Sequence, residues 1–144
     1  MNTDRFKFRA WLIREKRIVD VIDFKIQDDG FILIEYKDTY TKQAHIPPEH
    51  LMQCTGLRDK NERLIFEGDI VKHYNYPLSK IVFCDTHVGY CAEMLFDEEQ
   101  KKGWDKTDLL KTGNHIEAFF MDLHEQEIIG NIFENPELLE VNKK

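Results

Sequence analysis

The 144-residue chain lacks most of the features that announce chemistry. It has no GxGxxG and no GxxxxGKS/T, so the commonest glycine-rich phosphate cradles are missing. It has no CxxC pair. Its three cysteines, Cys54, Cys84 and Cys91, are odd in number and point to reduced thiols rather than a disulfide framework. No apolar run approaches the ~18 residues that a membrane span needs. The first residues, MNTDRFKFRAW, hold no long apolar core of the signal-peptide kind, so a cytoplasmic protein with no membrane partner is expected. No Gly/Ser linker, fixed-period repeat or low-complexity tract divides the chain. No long amphipathic helix is available to cover a parallel sheet, which sets βαβ folds aside. Positive charge is in the minority, with 20 Lys and Arg against 27 Asp and Glu, and the net charge of −7 opposes generic binding to phosphate backbones.

What is present suits a packed domain. Hydrophobic residues make up 42% and aromatics 12%, enough for a core without metal or disulfide support. A chain this long buries roughly 70% of the surface its unfolded form exposes. One domain over 1–144 is expected, with sub-structures at 1–50 and 51–140. The charge is uneven. Residues 1–17 carry a balance of +4, and residues 81–140 carry −10. One end could attract what the other repels, including a second copy.

The apolar pattern is that of short strands. Residues 5–13 alternate, with Phe6, Phe8, Ala10 and Leu12 on one face and Lys7, Arg9 and Trp11 on the other. Segments 18–26 and 31–37 flank Asp28-Asp29-Gly30, a hairpin signal. Pro47-Pro48 closes this region. Further strands are expected at 63–66, 70–74, 80–84, 90–96, 115–121 and 127–133. Glu67-Gly68-Asp69 forms a turn into the second of these, and 85–89 a hairpin loop between the fourth and its partner. Residues 97–114 read as a long loop, with one helical turn near Trp104 to Leu110. Asn135-Pro136-Glu137 carries helix-starting chemistry, with Asn as N-cap and Pro at the first helical position. Close-spaced strands with turn residues between them suggest a small barrel or sandwich.

Three constellations are candidates for chemistry. Cys84, His87 and Cys91 lie within eight residues, and His73 or His115 could complete a zinc site. Their C-x2-H-x3-C spacing matches no common structural zinc pattern. The bland alternative makes both cysteines small apolar residues on facing strands. A Cys-His nucleophile could be drawn from the same residues, but no local family signature accompanies it. Lys7, Arg9 and Trp11 mix cations with a stacking surface, as single-strand binders do. The same residue types suit a protein interface, which the acidic body favours over nucleic acid without excluding the latter.

Three stretches together resemble the YopX family of phage and prophage proteins. They are Phe8-Arg9-Ala10-Trp11, residues 53–71 (QCTGLRDKNERLIFEGDIV) and residues 128–139 (IIGNIFENPELL). The resemblance implies an SH3-like barrel with an additional N-terminal β portion and a short C-terminal helix. It also implies a phage-borne protein acting in the bacterial cytoplasm. No enzymatic activity or cofactor is established for the family. A structural role is expected for the motif residues Arg9, Trp11, Gly56, Asp59, Gly68, Asp69, Gly130, Asn131, Asn135 and Pro136: Gly56, Asp59, Gly68 and Asp69 read physically as turn positions, Gly130 as a bulge or a close backbone approach, and Asn135-Pro136 as a helix start. Cys54 stands where the family more often has Tyr. Glu62 stands where it often has Gly, so this turn keeps the family geometry only if Glu62 takes a positive φ. The expected function is a non-catalytic accessory module that acts through an unidentified phage or host protein or through self-association. A nucleic-acid binder using the N-terminal strand is the alternative, and a small enzyme or metal protein at Cys84/His87/Cys91 is the third reading.

Overall fold

Asp28-Asp29-Gly30 reverses the chain between two apolar segments. Gly30 takes φ +86°. Its N–H donates to the Gln27 carbonyl at 3.0 Å, and the Asp29 carboxylate accepts the Phe31 N–H at 2.9 Å. The turn joins β2 (Arg17–Ile26) to β3 (Ile32–Lys37). In the computed structural model residues 3–73, 77–85, 88–95, 115–117 and 125–140 are described, the backbone alone for 115–117. The described chain is mainly β, in two antiparallel sheets, with no long helix. No described helix is long and apolar enough to cross a membrane.

The chain divides into two units, Met1–Gly56 and Leu57–Lys144. In the first, β1 (Phe8–Leu12), β4 (Thr41–Ile46) and β5 (Leu51–Arg58) join β2 and β3 in the order β4-β3-β2-β1-β5. Ala10, Leu12, Val19, Ile32, Ile34 and Tyr36 are buried on one face and form its core. Strand β2 meets that face through Val19 and Val21, and a bulge returns the rest of the strand to it. Val21 pairs with Tyr36 and Asp23 with Glu35, so Ile22 is an extra residue. The insertion changes the parity of the strand and brings Phe24 onto the same face as Val21. Ile22 is left 59% exposed.

In the second unit the order is β10-β9-β8-β7-β11. These strands are β7 (Asp69–Lys72), β8 (Ser79–Cys84), β9 (Gly89–Met94), β10 (His115–Glu117) and β11 (Glu127–Asn131), preceded by the short β6 (Leu64–Phe66). Ile65, Val71, Ile81 and Ala92 form the core, with Tyr90 and Ile128 packed against it. Across β8 and β9, Phe83 meets the Tyr90 ring edge-on at 5.5 Å.

Several expectations need correction. The N-terminal strand starts at Phe8, because Asp4–Phe6 form a 3-10 turn closed by the Phe6 N–H on the Thr3 carbonyl. Phe6 therefore leaves the strand alternation and is 56% exposed. Strand β4 was not anticipated. Its residues, TKQAHI, carry little apolar signal because among the described residues it is an edge strand, paired with β3 on one side. The C-terminal helix is a single 3-10 stretch, Pro136–Glu140. The expected loop at 97–114 lies outside the described residues.

Candidate functional site

The longest motif stretch turns on one buried carboxylate. Asp59 is 0% exposed. Its Oδ1 accepts the N–H groups of Asn61 and Arg63, both at 2.9 Å, and its Oδ2 accepts the Ile128 N–H at 3.0 Å. The Arg63 guanidinium lies 3.4 Å from the same oxygen and donates to the Ile128 carbonyl. Burial by itself pushes the Asp59 pKa up. The N–H bonds from Ile128, Arg63 and Asn61, aided by the Arg63 charge, outweigh it and hold the group below the usual carboxylate range. Asp59 thus clamps the 59–63 turn onto β11, far away in sequence. The motif residue Arg63 was missed by sequence reasoning, although its i+4 spacing from Asp59 was visible.

The next motif residues are also engaged internally. Gly68 takes φ +87°, and Gly56 takes +83°. A side chain is strained in that region, and at Gly56 a Cβ would also come within 3.2 Å of the Arg5 Cβ. Asp69 is buried and accepts the Phe66 N–H at 2.8 Å. At β11 the register with β7 slips between Ile128 and Gly130, which is the expected bulge. Asn131 Oδ1 accepts the N–H groups of Phe133 at 3.0 Å and Glu134 at 2.8 Å. Asn135 does not use its side-chain oxygen on the helix it precedes. That oxygen accepts the Asn131 N–H at 3.2 Å, and the Asn135 carbonyl accepts from Leu138. Pro136 opens the 3-10 stretch.

Glu67, within the same turn, is a half-buried carboxyl with no ion pair or hydrogen bond among the described residues. Burial pushes its pKa up. A carboxyl raised in the folded state favours folding below its unfolded pKa, and that contribution is lost as pH rises through the folded value. Glu67→Gln is therefore expected to raise the melting temperature at about pH 7 and to leave it unchanged near about pH 3, where the carboxyl is protonated in both states. Thermal melts across that range check the sign.

Cys84 and Cys91 sit on paired strands, Cys84 opposite Gly89 and Cys91 opposite Val82. Both are buried free thiols. His87 lies outside the described residues. Among the described residues no group of three or more His, Cys, Asp or Glu is placed to hold a metal ion.

The N-terminal residues divide. Lys7 precedes β1 and pairs with Asp4 at 2.8 Å. Arg9 lies on β1 opposite Asp20 and Met52, and Trp11 opposite Ile18. Strand β1 is bonded to β2 along its length and to β5 over residues 8–10. Trp11 lines a cleft of about 530 Å³ in the first unit. The chain from Trp11 to Glu15 forms one wall, and Gln43 to Pro47 forms the opposite one. Tyr36 and His50 also contribute. These two walls come from strands three places apart in the sheet, so the sheet curls to bring them together. Of the lining residues only Trp11 was singled out by sequence reasoning, because the other wall belongs to the unanticipated β4.

The profile described as "YopX protein" matches residues 7–140. The chain belongs to the YopX family. It is similar to a crystal structure of protein EF1440 from Enterococcus faecalis, at 26% identity and a TM-score of 0.52 over 93% of this chain and 97% of that one. It also has the fold of protein yopX from Bacillus subtilis, at 17% identity and a TM-score of 0.54 over 99% of this chain and all of the other. No curated protein matches at a significant level. Where YopX sequences often have Gly, Glu62 takes φ +63°. The turn is thus left-handed at this position with a side chain in place. The Glu62 N–H donates to the Asp59 carbonyl at 3.0 Å, and its own carbonyl accepts from Arg58 at 2.8 Å, which holds the turn in that conformation. Cys54, where YopX sequences more often have Tyr, is fully buried.

Proposed function

We propose that this YopX-family chain is a non-catalytic binding module that acts through a protein partner, in the cytoplasm of a bacterium carrying a phage or prophage. The observation that carries this reading is the cleft at Trp11. Its size suits a side-chain cluster or a short peptide, and it mixes aromatic walls with a few polar groups. The motif residues of the second unit, by contrast, direct their polar atoms to neighbouring backbone. Trp and Arg are the residue types that dominate protein interfaces, and both stand on β1. No cofactor enters this reading.

The test is recovery of the tagged chain from such bacteria, with and without nuclease. A defined protein that survives nuclease supports the reading. Material lost on nuclease treatment puts nucleic acid first, and recovery of the chain alone points to self-association. Joint replacement of Arg9 and Trp11 by alanine is expected to weaken partner capture about tenfold or more while the far-ultraviolet circular dichroism stays that of a β protein. Unchanged capture would remove this face from the interface.

A further inference from the structure

We infer that β4 is a docking edge for an extended, acidic polypeptide segment, which adds as a strand and places one apolar side chain in the Trp11 cleft. The inference rests on the binding-module reading and names its mode. Two independent features meet at this place. The first is the backbone of β4. It pairs with β3 alone, and among the described residues no strand lies on its other side. Every second residue of such a strand directs its N–H and C=O outward, where they match only another extended chain. Natural edges are commonly blunted by proline, bulges or free lysines. Thr41–Ile46 has no proline and an unbroken register with β3. Its one lysine, Lys42, is drawn to Asp38 at 3.3 Å.

The second feature is the cleft beside that edge. Gln43, Ala44, His45 and Ile46 of β4 line it, as Trp11 does. In strand addition, backbone bonds supply affinity and pockets for alternate side chains supply selectivity. The edge and the cleft provide both parts. Charge then selects the occupant. Glu15 is held by Arg17 at 2.7 Å and Asp38 by Arg17 at 3.1 Å. Arg14 also lines the cleft and has no ion pair among the described residues. The uncompensated charge of this cleft is positive, so an apolar anchor next to Asp or Glu is the complementary segment.

The probe is an array of synthetic peptides of about ten residues, each long enough to cover a strand of β4's length, with one central Leu, Phe or Met flanked by Asp or Glu. Binders are remade twice, with one alternate set of amides N-methylated and then with the other. One set is expected to lower affinity for the full chain at least about tenfold and the other to leave it within about twofold, because only one set faces β4. The β4 amides should slow in hydrogen exchange on binding, and Arg14→Glu should weaken binding severalfold. Equal effects of the two sets, or unchanged β4 exchange, would overturn strand addition while leaving a protein-binding module in place. An array with no binder would also overturn it, and the nuclease-resistant recovery would then decide the broader reading separately. Slowing of β4 exchange with protein concentration alone would make a second copy the occupant and overturn the partner peptide.

Discussion

Asp59→Ala is expected to remove about 3–5 kcal/mol of stability, because three N–H groups give up one buried, charged acceptor. Three N–H groups lose their acceptor, and one of them, on Ile128, lies across the fold on β11. Each buried donor left without a partner costs about 1–3 kcal/mol, and water entry offsets part of that. Asp59→Asn should lose less. Its oxygen can keep the Asn61 and Arg63 N–H groups, but its amide then opposes the Ile128 N–H, donor to donor. Urea unfolding followed by tryptophan fluorescence measures both. A loss below about 1 kcal/mol for the alanine variant would mean that the turn does not depend on this carboxylate. The pH dependence has a definite sign. The folded pKa lies below the unfolded one, so the contribution is full above about pH 4 and is lost as pH falls through the folded value. The gap between the parent chain and Asp59→Asn should therefore close in acid, not in base.

Gly130→Ala should cost about 1–3 kcal/mol, the range for forcing atoms into a filled site. A Cβ at Gly130 would stand 2.8 Å from the Asn135 Cγ and closer still to its Oδ1. Asn135 cannot swing away freely, because that oxygen accepts the Asn131 N–H. Moving it also breaks the link between the end of β11 and the 3-10 stretch that follows. Asn135→Ala alone should cost about 1 kcal/mol, one hydrogen bond. The two changes together should cost less than their sum, since the alanine at 135 vacates the space that the Gly130 methyl needs. A denaturant double-mutant cycle reads this coupling, with about 1 kcal/mol expected. Strict additivity would show that β11 shifts as a whole rather than colliding with Asn135.

Legibility in the sequence followed the range of the interaction. The turn at Asp28-Asp29-Gly30 is closed by bonds between residues two to four apart, and its residue types announce it. At Glu67-Gly68-Asp69 the local bond is the Phe66 N–H on the Asp69 carboxylate, while Gly68 also bonds to Ile81 and Ile132, and the bulge at Gly130 is a slip against β7. Strand β4 was hidden because Thr41, Lys42, Gln43 and His45 need no apolar partner at a sheet edge. The bulge at Ile22 was hidden for another reason. Valine and isoleucine at 18–22 read equally well on either face, and only pairing with β3 shows which one is inserted. Asp59 was identified as a turn residue, and it is one. Its third acceptor bond and Arg63's contact with the Ile128 carbonyl reach across the chain and leave no local pattern.

The sequence by itself determined the mainly β character, the turn at Asp28-Asp29-Gly30 and membership in the YopX family. These rest on local backbone preference and on residue order, both of which are written in a single strand of text. Only the tertiary structure decided which carboxylate is buried and clamped, which strand is left at an edge, and that Trp11 lines a cleft opposite residues some thirty positions away. Those depend on how far the first sheet curls around its core, and curl is set by the sum of many strand pairings rather than by any one residue.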